Sequence, residues 1–557
     1  MKILIFATDL PPLSGYPTSG TALRTNQIAE GLRDLGHEVI FSVPLSALDG
    51  INSSLNEKVS KEILKELNRY AFDAVNQAKI ISETNPDVIF CGHWPAWTLG
   101  RKPRQPLIID LAGPHLLERY FQGEDNYNAA VHGKLNALAC ADYFIVSGQK
   151  QRLYFLSWLM RAKVSRPEER ICTIAMPLPP IEDQNTKNRI ERISGSKTLS
   201  IDSNSSSSGL FSPSFIFGGV FLPWQDPTWG LENLSNELKN RNLGTLTLIG
   251  GKHPNYDINT GKYDELFYSL EQNPRVKRLP LLPLEKFVEL LPNADVALDL
   301  MSWNLERELA ITIRTTTYLW AGIPIIYNNY ADLADSIKKF NAGWCIAPGD
   351  ERAFREVIEE IFNDPLLVVT KSKNALLLAK ELFDRKKAAN QIINILDTPV
   401  ISSNREIDIS IDIAESCDFA FGINSTLEQH FICRINGLKE IELLFGTHGH
   451  ETDGEIEINL SEYTGESDFH SGLRVVAKKS LNSSLIKNNQ WVKVDFDPQL
   501  QSAGKKYTLS MRKKGSGMSP VSPWSIKSKP YPMLGLFQDG RRLGTHSLCM
   551  KTHCLKQ

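Results

Sequence analysis

Two different periods govern the apolar positions of this chain. Up to about Ile395, short apolar runs alternate with stretches whose apolar residues recur every three or four positions; from about Asn404 the period is two. The first regime opens with the strand-like runs KILIFA, EVIFSV, DVIFCG, PLIIDL and YFIVS. Helical segments lie between them: Ile28, Leu32 and Leu35 share a face in Thr21–Leu35, as do Ile63, Leu64, Leu67 and Ala71 in Lys61–Ile81. Such alternation predicts a doubly wound parallel sheet over residues 1–180. The run SGSKTLSIDSNSSSSG then interrupts the pattern. It has too little apolar surface to order itself, so residues 181–210 read as a surface linker.

Alternation resumes with FIFGGV, TLTLIGG, RVKRLPLL, DVALDL, IPIIYN and GWCIAP, and with an amphipathic helix marked by Ala353, Phe354, Val357, Ile358 and Ile361. Residues 211–398 therefore form a second α/β domain. Residues 404–545 carry the period-two runs EIDISIDI, HFICRI, KEIELLFG, EIEINL, LRVVA, WVKVDF and KYTLSM, with turn signals at Asn436-Gly437, Asp453-Gly454 and Ala503-Gly504. This third region reads as an antiparallel β-sandwich. The fold class is thus α/β, two doubly wound Rossmann-like domains, plus a C-terminal β-sandwich.

Composition narrows the function. The chain of 557 residues has 42% hydrophobic and 23% charged residues, as ordinary globular proteins do. A formal net charge of -2 gives no whole-molecule attraction to nucleic acid or to an anionic membrane. The eight cysteines are scattered singly, so neither a zinc framework nor a disulfide scaffold is expected, and a reducing cytoplasm fits. Cys549, His553 and Cys554 sit in a polar tail that reads as unstructured rather than metal-binding. The apolar start MKILIFA stops at Thr8-Asp9, too short for a secretory segment, and reads as a buried strand. No run approaches the roughly 20 apolar residues of a membrane span.

Candidate chemistry lies in the loops after the strands, where open α/β sheets bind ligands. After the first strand, Gly15 and Gly20 flank a loop that runs straight into a helix, whose first N–H groups suit an anion. In the second domain, Gly218 and Gly219 end one strand and Gly250 and Gly251 the next, followed at once by Lys252 and His253. The segment ERELAITIRTTTYLWAGIPII, residues 306–326, puts two carboxylates, Arg314 and three consecutive threonines where a buried helix should begin. A helix starting near Arg314 aims the hydroxyls of Thr315, Thr316 and Thr317 into the cleft, beside the positive end of the helix and the fork of Arg314. Together they suit a diphosphate. Glu306 and Glu308 are placed to accept hydrogen bonds from sugar hydroxyls. The pair Asp495 and Asp497 lies in the alternating run WVKVDFDP and reads as solvent-facing strand positions, not a metal site.

The pieces GGVFLPWQDPTWGL, LIGGKHPN, the ERE…R segment and YLWAGIPII followed by NAGWCIAP resemble the retaining, nucleotide-sugar-dependent glycosyltransferases of the GT-B fold, the "group 1" family, over about Met1 to Ile395. The resemblance implies a metal-independent transfer of a sugar from a nucleoside-diphosphate sugar to a glycan or lipid-linked glycan, in surface polysaccharide assembly. It implies no cofactor and no nucleic-acid partner, a cytoplasmic location, and room for peripheral contact with the cytoplasmic membrane face. It also implies roles: a glutamate contacting the transferred sugar, falling on Glu306 or Glu308; a cleft histidine at His93; and acceptor-side polar groups at Asp110 and Glu118. Where relatives carry an acidic residue that faces the donor nucleotide, this chain has Thr317. The tail resembles β-sandwich modules appended to polysaccharide-assembly enzymes, and reads as a glycan-holding or a purely structural module. The alternative for the whole chain is a non-catalytic glycan-binding scaffold derived from such an enzyme.

Overall fold

The computed structural model describes residues 1–555 apart from 54–60, 94, 100–101, 124–126, 182–190, 192, 194–210, 254–257, 259, 261, 399–404, 413, 418–424, 465–471, 515–520 and 530–531. Nearly all of the linker expected at 181–210 therefore lies outside the described residues. The chain divides into two compact units. One comprises residues 1–98, 104–124 and 141–399; the other comprises 99–103, 125–140 and 400–557.

The first unit contains two parallel six-stranded sheets. In chain order the first has β1 (Lys2–Phe6), β2 (Glu38–Ser42), β3 (Val88–Gly92), β4 (Leu107–Asp110), β5 (Tyr143–Val146) and β6 (Ile171–Thr173), arranged β2-β1-β3-β4-β5-β6. The second has β7 (Ser214–Val220), β8 (Thr245–Gly251), β9 (Val276–Leu279), β10 (Val296–Asp299), β11 (Ile325–Asn328) and β12 (Gly343–Ile346), arranged β12-β11-β10-β7-β8-β9. Central strands such as β3, β5, β10 and β11 are buried at every position, which is why they read as unbroken apolar runs. Strand order reverses between β1 and β3 in the first sheet and between β7 and β10 in the second. These are the switch points at which such sheets leave a crevice.

Two elements differ from the sequence pattern. The helix expected over Lys61–Ile81 is two helices, Lys61–Arg69 and Gln77–Thr84. Between them the Phe72 N–H donates to Val43 O, and the Asp73 and Asn76 side chains hold a turn, so a tertiary contact outbids helical continuity. A short strand, β6, also appears where no run announced one.

The last helix of this unit, Arg385–Ile395, leaves the second sheet and packs on the first helix, Gly20–Asp34. Asp384 caps it by accepting from the Lys387 N–H at 2.7 Å, Arg385 Nε donates to Asp34 at 2.7 Å, and the Leu178 N–H donates to Phe383 O at 2.8 Å. Gly31 makes the approach possible, because a Cβ there would lie 2.5 Å from Arg385 O.

The second unit is built from β13 (Arg405–Ser410), β14 (Thr426–Ile432), β15 (Leu438–Gly446), β16 (Glu455–Tyr463), β17 (Leu473–Asn482), β18 (Gln490–Gln499), β19 (Lys506–Lys514), β20 (Ser522–Pro523), β21 (Ser525–Ile526), β22 (Met533–Gln538), β23 (Arg541–Arg542), β24 (Ser547–Leu548) and β25 (Met550–Leu555). One antiparallel sheet runs β13-β25-β15-β18, with β20 beside β15; the other runs β17-β16-β19-β14-β22-β23. A single apolar core takes Ile409, Ile441, Leu443, Phe445 and Met550 from the first sheet and Leu427, Phe431, Ile456, Leu509 and Met511 from the second, which makes this a sandwich. The tail is not unstructured. Strand β25 pairs with both β13 and β15, and Cys549 and Cys554 are buried. The period-two placement of Met550 and Cys554 carried that signal, masked by Lys551 and His553 on the other face. The turn signals are also used differently from hairpins: Asn436-Gly437, Asp453-Gly454 and Ala503-Gly504 each precede a strand that lies in the opposite sheet from the strand before it. The helix Tyr127–Cys140 groups with this unit, and its Asn128 side chain donates to Glu415.

Ordinarily Gly→Ala inside a helix stabilises by about 0.5–1 kcal/mol. Gly31→Ala should do the reverse, costing about 1–3 kcal/mol by overpacking against the Arg385 carbonyl. A urea unfolding midpoint lower than that of the parent is the expected result.

Candidate active site

The second switch point is filled by a charge network. Asp299 closes β10 and is buried. The Thr312 hydroxyl donates to its Oδ2 at 2.7 Å, the Thr315 hydroxyl donates to the same oxygen, and Arg314 Nε stands 3.8 Å from Oδ1. Thr312 also caps the helix Ile313–Trp320, accepting from the Thr315 N–H. Arg314 is held in one pose: it donates to Gln225 Oε1, lies 5.1 Å over the Phe217 ring, and backs onto Gly219. At Gly219 φ is +147°, and a Cβ would be 3.2 Å from the guanidinium carbon, so the glycine admits the arginine to the end of β7.

Just before it, Asn304 caps the short helix Leu305–Leu309 by accepting from the Arg307 N–H at 3.0 Å. Glu306 is buried, and each of its oxygens accepts from Arg307, at 2.6 and 2.8 Å. Burial pushes the Glu306 carboxyl up and the guanidinium pulls it back; the facing Glu118 carboxyl raises it further. Burial works against the Arg307 charge, but the Glu306 carboxylate more than restores it. Glu308 is half-exposed and differs: it accepts from Lys150 Nζ at 2.8 Å and from Trp303 Nε1 at 2.9 Å, which hold its carboxyl below the usual range. Lys150 belongs to the helix Gln149–Arg161 of the first sheet's layer and also reaches Tyr330 O at 2.7 Å. Glu308 is therefore a tie between the two α/β halves.

The two sheets meet through their loops. The N-terminus of the Gly20–Asp34 helix, capped by Ser19, abuts that of the Ile313–Trp320 helix: a Cβ on Gly20 would lie 2.5 Å from Ile313 Cδ1. Ser19 in turn donates to Asp9 at 2.5 Å, at the end of β1. The Gly15 N–H donates to Glu285 Oε1 of the other half at 2.6 Å. His253 is half-buried and its imidazole is pushed down by burial, with the Asp9 carboxylate opposing the shift. Lys252 is exposed.

Of the residues singled out from sequence, Gly219, Arg314 and Thr315 come together at the second switch point with Asp299, and Gly20 lies against Ile313, the first residue of the same helix; Gly218 lies near the end of β7, Gly15 bonds Glu285, and His253 lies in the field of Asp9. The threonines serve differently from the expectation. Thr315, Thr316 and Thr317 are buried; the first two spend their hydroxyl protons on Asp299 and on Ile313 O, as short hydroxyl side chains in a helix's first turn commonly do. The donors presented by this segment are the helix N–H groups and Arg314. Gly250 is a packing position, since a Cβ there would fall 2.3 Å from the Phe221 ring. Asp110 is not an open acceptor-side group: Arg24 grips it at 2.8 and 3.0 Å, both side chains buried. His93 is buried at the end of β3, its ring 4.2 Å from that of His115, whose Nδ1 is 2.9 Å from Glu118 Oε2. The sequence reading missed Asp299, Thr312, Gln225, Arg307, Lys150 and Arg24. Thr312 was the legible one, as a capping residue before a helical run.

No protein-family profile and no curated protein sequence matches this chain. Solved structures do. Sucrose-phosphate synthase from Thermosynechococcus elongatus superposes with a TM-score of 0.51 at 16% identity, over 71% of this chain and 98% of that one. The fold is GT-B. Anabaena HepE in complex with UDP (TM-score 0.48, 16% identity, 72% and 100% covered) and a glycosyltransferase from Rickettsia africae ESF-5 (0.45, 14%, 72% and 99%) are more distant in shape. Among the described residues, no helix is long and apolar enough to cross a membrane.

Glu306 and Glu308 should respond unequally to loss of their cation. Arg307→Ala strands a buried carboxylate and should cost about 3–5 kcal/mol. Lys150→Ala removes a part-exposed partner of Glu308 and should cost below about 1 kcal/mol. Thermal unfolding of the two variants side by side makes the comparison.

Proposed function

We propose that this protein is a glycosyltransferase that moves a sugar from a nucleoside-diphosphate sugar to a glycan or lipid-linked glycan acceptor, with retention and without a metal ion, in surface polysaccharide assembly. One observation carries the reading: two capped helix N-termini and the fixed Arg314 guanidinium converge at the switch points of two Rossmann-like sheets. Each helix start contributes roughly half a positive charge and N–H groups that lack intrahelical partners. A leaving diphosphate gains negative charge as the anomeric bond breaks, and preorganised donors of this type stabilise that charge, by about 3 kcal/mol each. The fold shared with sucrose-phosphate synthase supports the reading.

In this reading Arg314 and the helix N–H groups bind the diphosphate, and the Glu306 carboxylate, oriented by Arg307, accepts from hydroxyls of the transferred sugar. The acceptor enters from the first sheet's side, near His93, His115 and Glu118. A second reading, a glycan-binding scaffold without turnover, is favoured by Thr317, a neutral buried residue where an acidic one would face the nucleotide.

The test is a panel of nucleotide sugars offered to the full chain, with binding by calorimetry and sugar release followed together. Arg314→Ala should weaken binding of the preferred nucleoside diphosphate by about 10- to 100-fold, the worth of a charge-assisted hydrogen bond. Unchanged affinity in a folded variant would remove Arg314 from the site. Binding of polysaccharide with no turnover of any donor would establish the scaffold instead.

A further inference from the structure

In the second unit, strands β15 and β25 are antiparallel neighbours whose register sets Glu440 opposite His553. Glu442 lies two residues on, on the same face. His553 Nε2 is 3.4 Å from Glu442 Oε1 and 3.7 Å from Glu440 Oε1, and one ligating atom from each of the three residues lies within 4.8 Å of the others. Separations of this size are long for hydrogen bonds between these groups. They fit the edge of a tetrahedron, about 3.4 Å, around an ion held at roughly 2.0–2.1 Å by nitrogen and oxygen ligands. The three side chains are 8%, 12% and 10% exposed, so the donors are fixed by the strands and close to the surface.

The cation that faces both carboxylates is Lys493, paired with Glu442 across β18. Its Nζ is 3.2 Å from Glu442 Oε1 and 3.7 Å from Glu440 Oε1, and its side chain is 57% exposed. It stands where a metal would bind and can turn out into water. Lys551, in register with Glu442 on the other side, lies 4.0 Å over the Trp491 ring. The other donor cluster of this unit, Asp408, Cys433 and Cys554, is a poorer host: Arg434 donates from its backbone N–H and its Nε to the two Asp408 oxygens, at 2.8 and 2.9 Å, and already supplies the cation.

The geometry points to a site for a divalent transition-metal ion of the zinc class, held by Glu440, Glu442 and His553. One imidazole and two carboxylates match the ligand preferences of such an ion and leave a position open to water. Bound there, the ion ties the terminal strand β25 to β15. Because ligands must shed their protons, binding weakens as the solution is acidified.

The test is a Zn2+ titration of the full chain after chelator treatment, followed by calorimetry and thermal unfolding. One ion per chain is expected, with a rise in Tm of about 5 °C or more at a hundredfold excess over Kd. His553→Ala and Glu442→Gln should each lower affinity at least about tenfold. Lys493→Ala should raise it, because a competing cation is gone, and this variant leaves all three ligands in place if His553→Ala fails to fold. A plain cross-strand charge ladder predicts the opposite: Lys493→Ala is destabilised and Zn2+ does not rescue it. No binding by either the parent or Lys493→Ala overturns the proposal. Binding that is equally tight in His553→Ala and Glu442→Gln also overturns it, because the ion then sits elsewhere on the surface.

Discussion

A carboxylate taken out of water at the end of a strand must be given a cation and hydrogen-bond donors, and the second α/β half is arranged around two such groups. Asp299 ends β10 and Glu306 follows a few residues later, both almost wholly buried. An uncompensated buried charge costs several kcal/mol, so the chain that follows Glu306 must deliver a guanidinium to each. It does so by splitting into two helices. Arg307 reaches Glu306 from the Leu305–Leu309 helix, the backbone extends at Ala310 and again at Thr312, and Arg314 reaches Asp299 from the first turn of the Ile313–Trp320 helix. The break that serves electrostatics also creates a helix N-terminus facing the crevice. The candidate anion site is thus a by-product of satisfying Asp299.

The same segment decides how the two halves of the first unit meet. Ile313 packs on Gly20, Glu308 binds Lys150, and Glu285 binds the Gly15 loop, so three contacts surround the crevice. The closing helix adds a fourth on the far side, through Arg385 and Asp34. These ties differ in kind. The Gly20 contact is apolar and close, whereas the Lys150–Glu308 pair is part-exposed and contributes little to stability. A contact that holds position at small energetic cost suits a cleft whose halves must admit and release a ligand, which is the behaviour the proposed transfer reaction requires.

The sequence by itself determined whatever depends on local sterics and on the alternation of faces. A period of three to four followed by a period of two separated the two α/β halves from the sandwich, and the unbroken apolar runs marked strands buried on both faces, because a strand with helices on each side has no wet face. The capping threonine and the glycines at strand ends were legible for the same reason, since each answers to the backbone within a few residues of itself. What the tertiary structure alone decided is pairing. Asp110 looked like a cleft group until Arg24, on a different element, took both its oxygens. Arg314 could have served either glutamate nearby, and instead lies beside Asp299 at the end of another element. The glycine turns of the sandwich look alike in sequence whether they close a hairpin or carry the chain to the opposite sheet, and here they do the latter. The polar tail proved to be a strand because partners on both sides, β13 and β15, receive its hydrogen bonds. Periodicity is a property of one segment, while the fate of a charge or an unpaired edge depends on which distant segment arrives beside it.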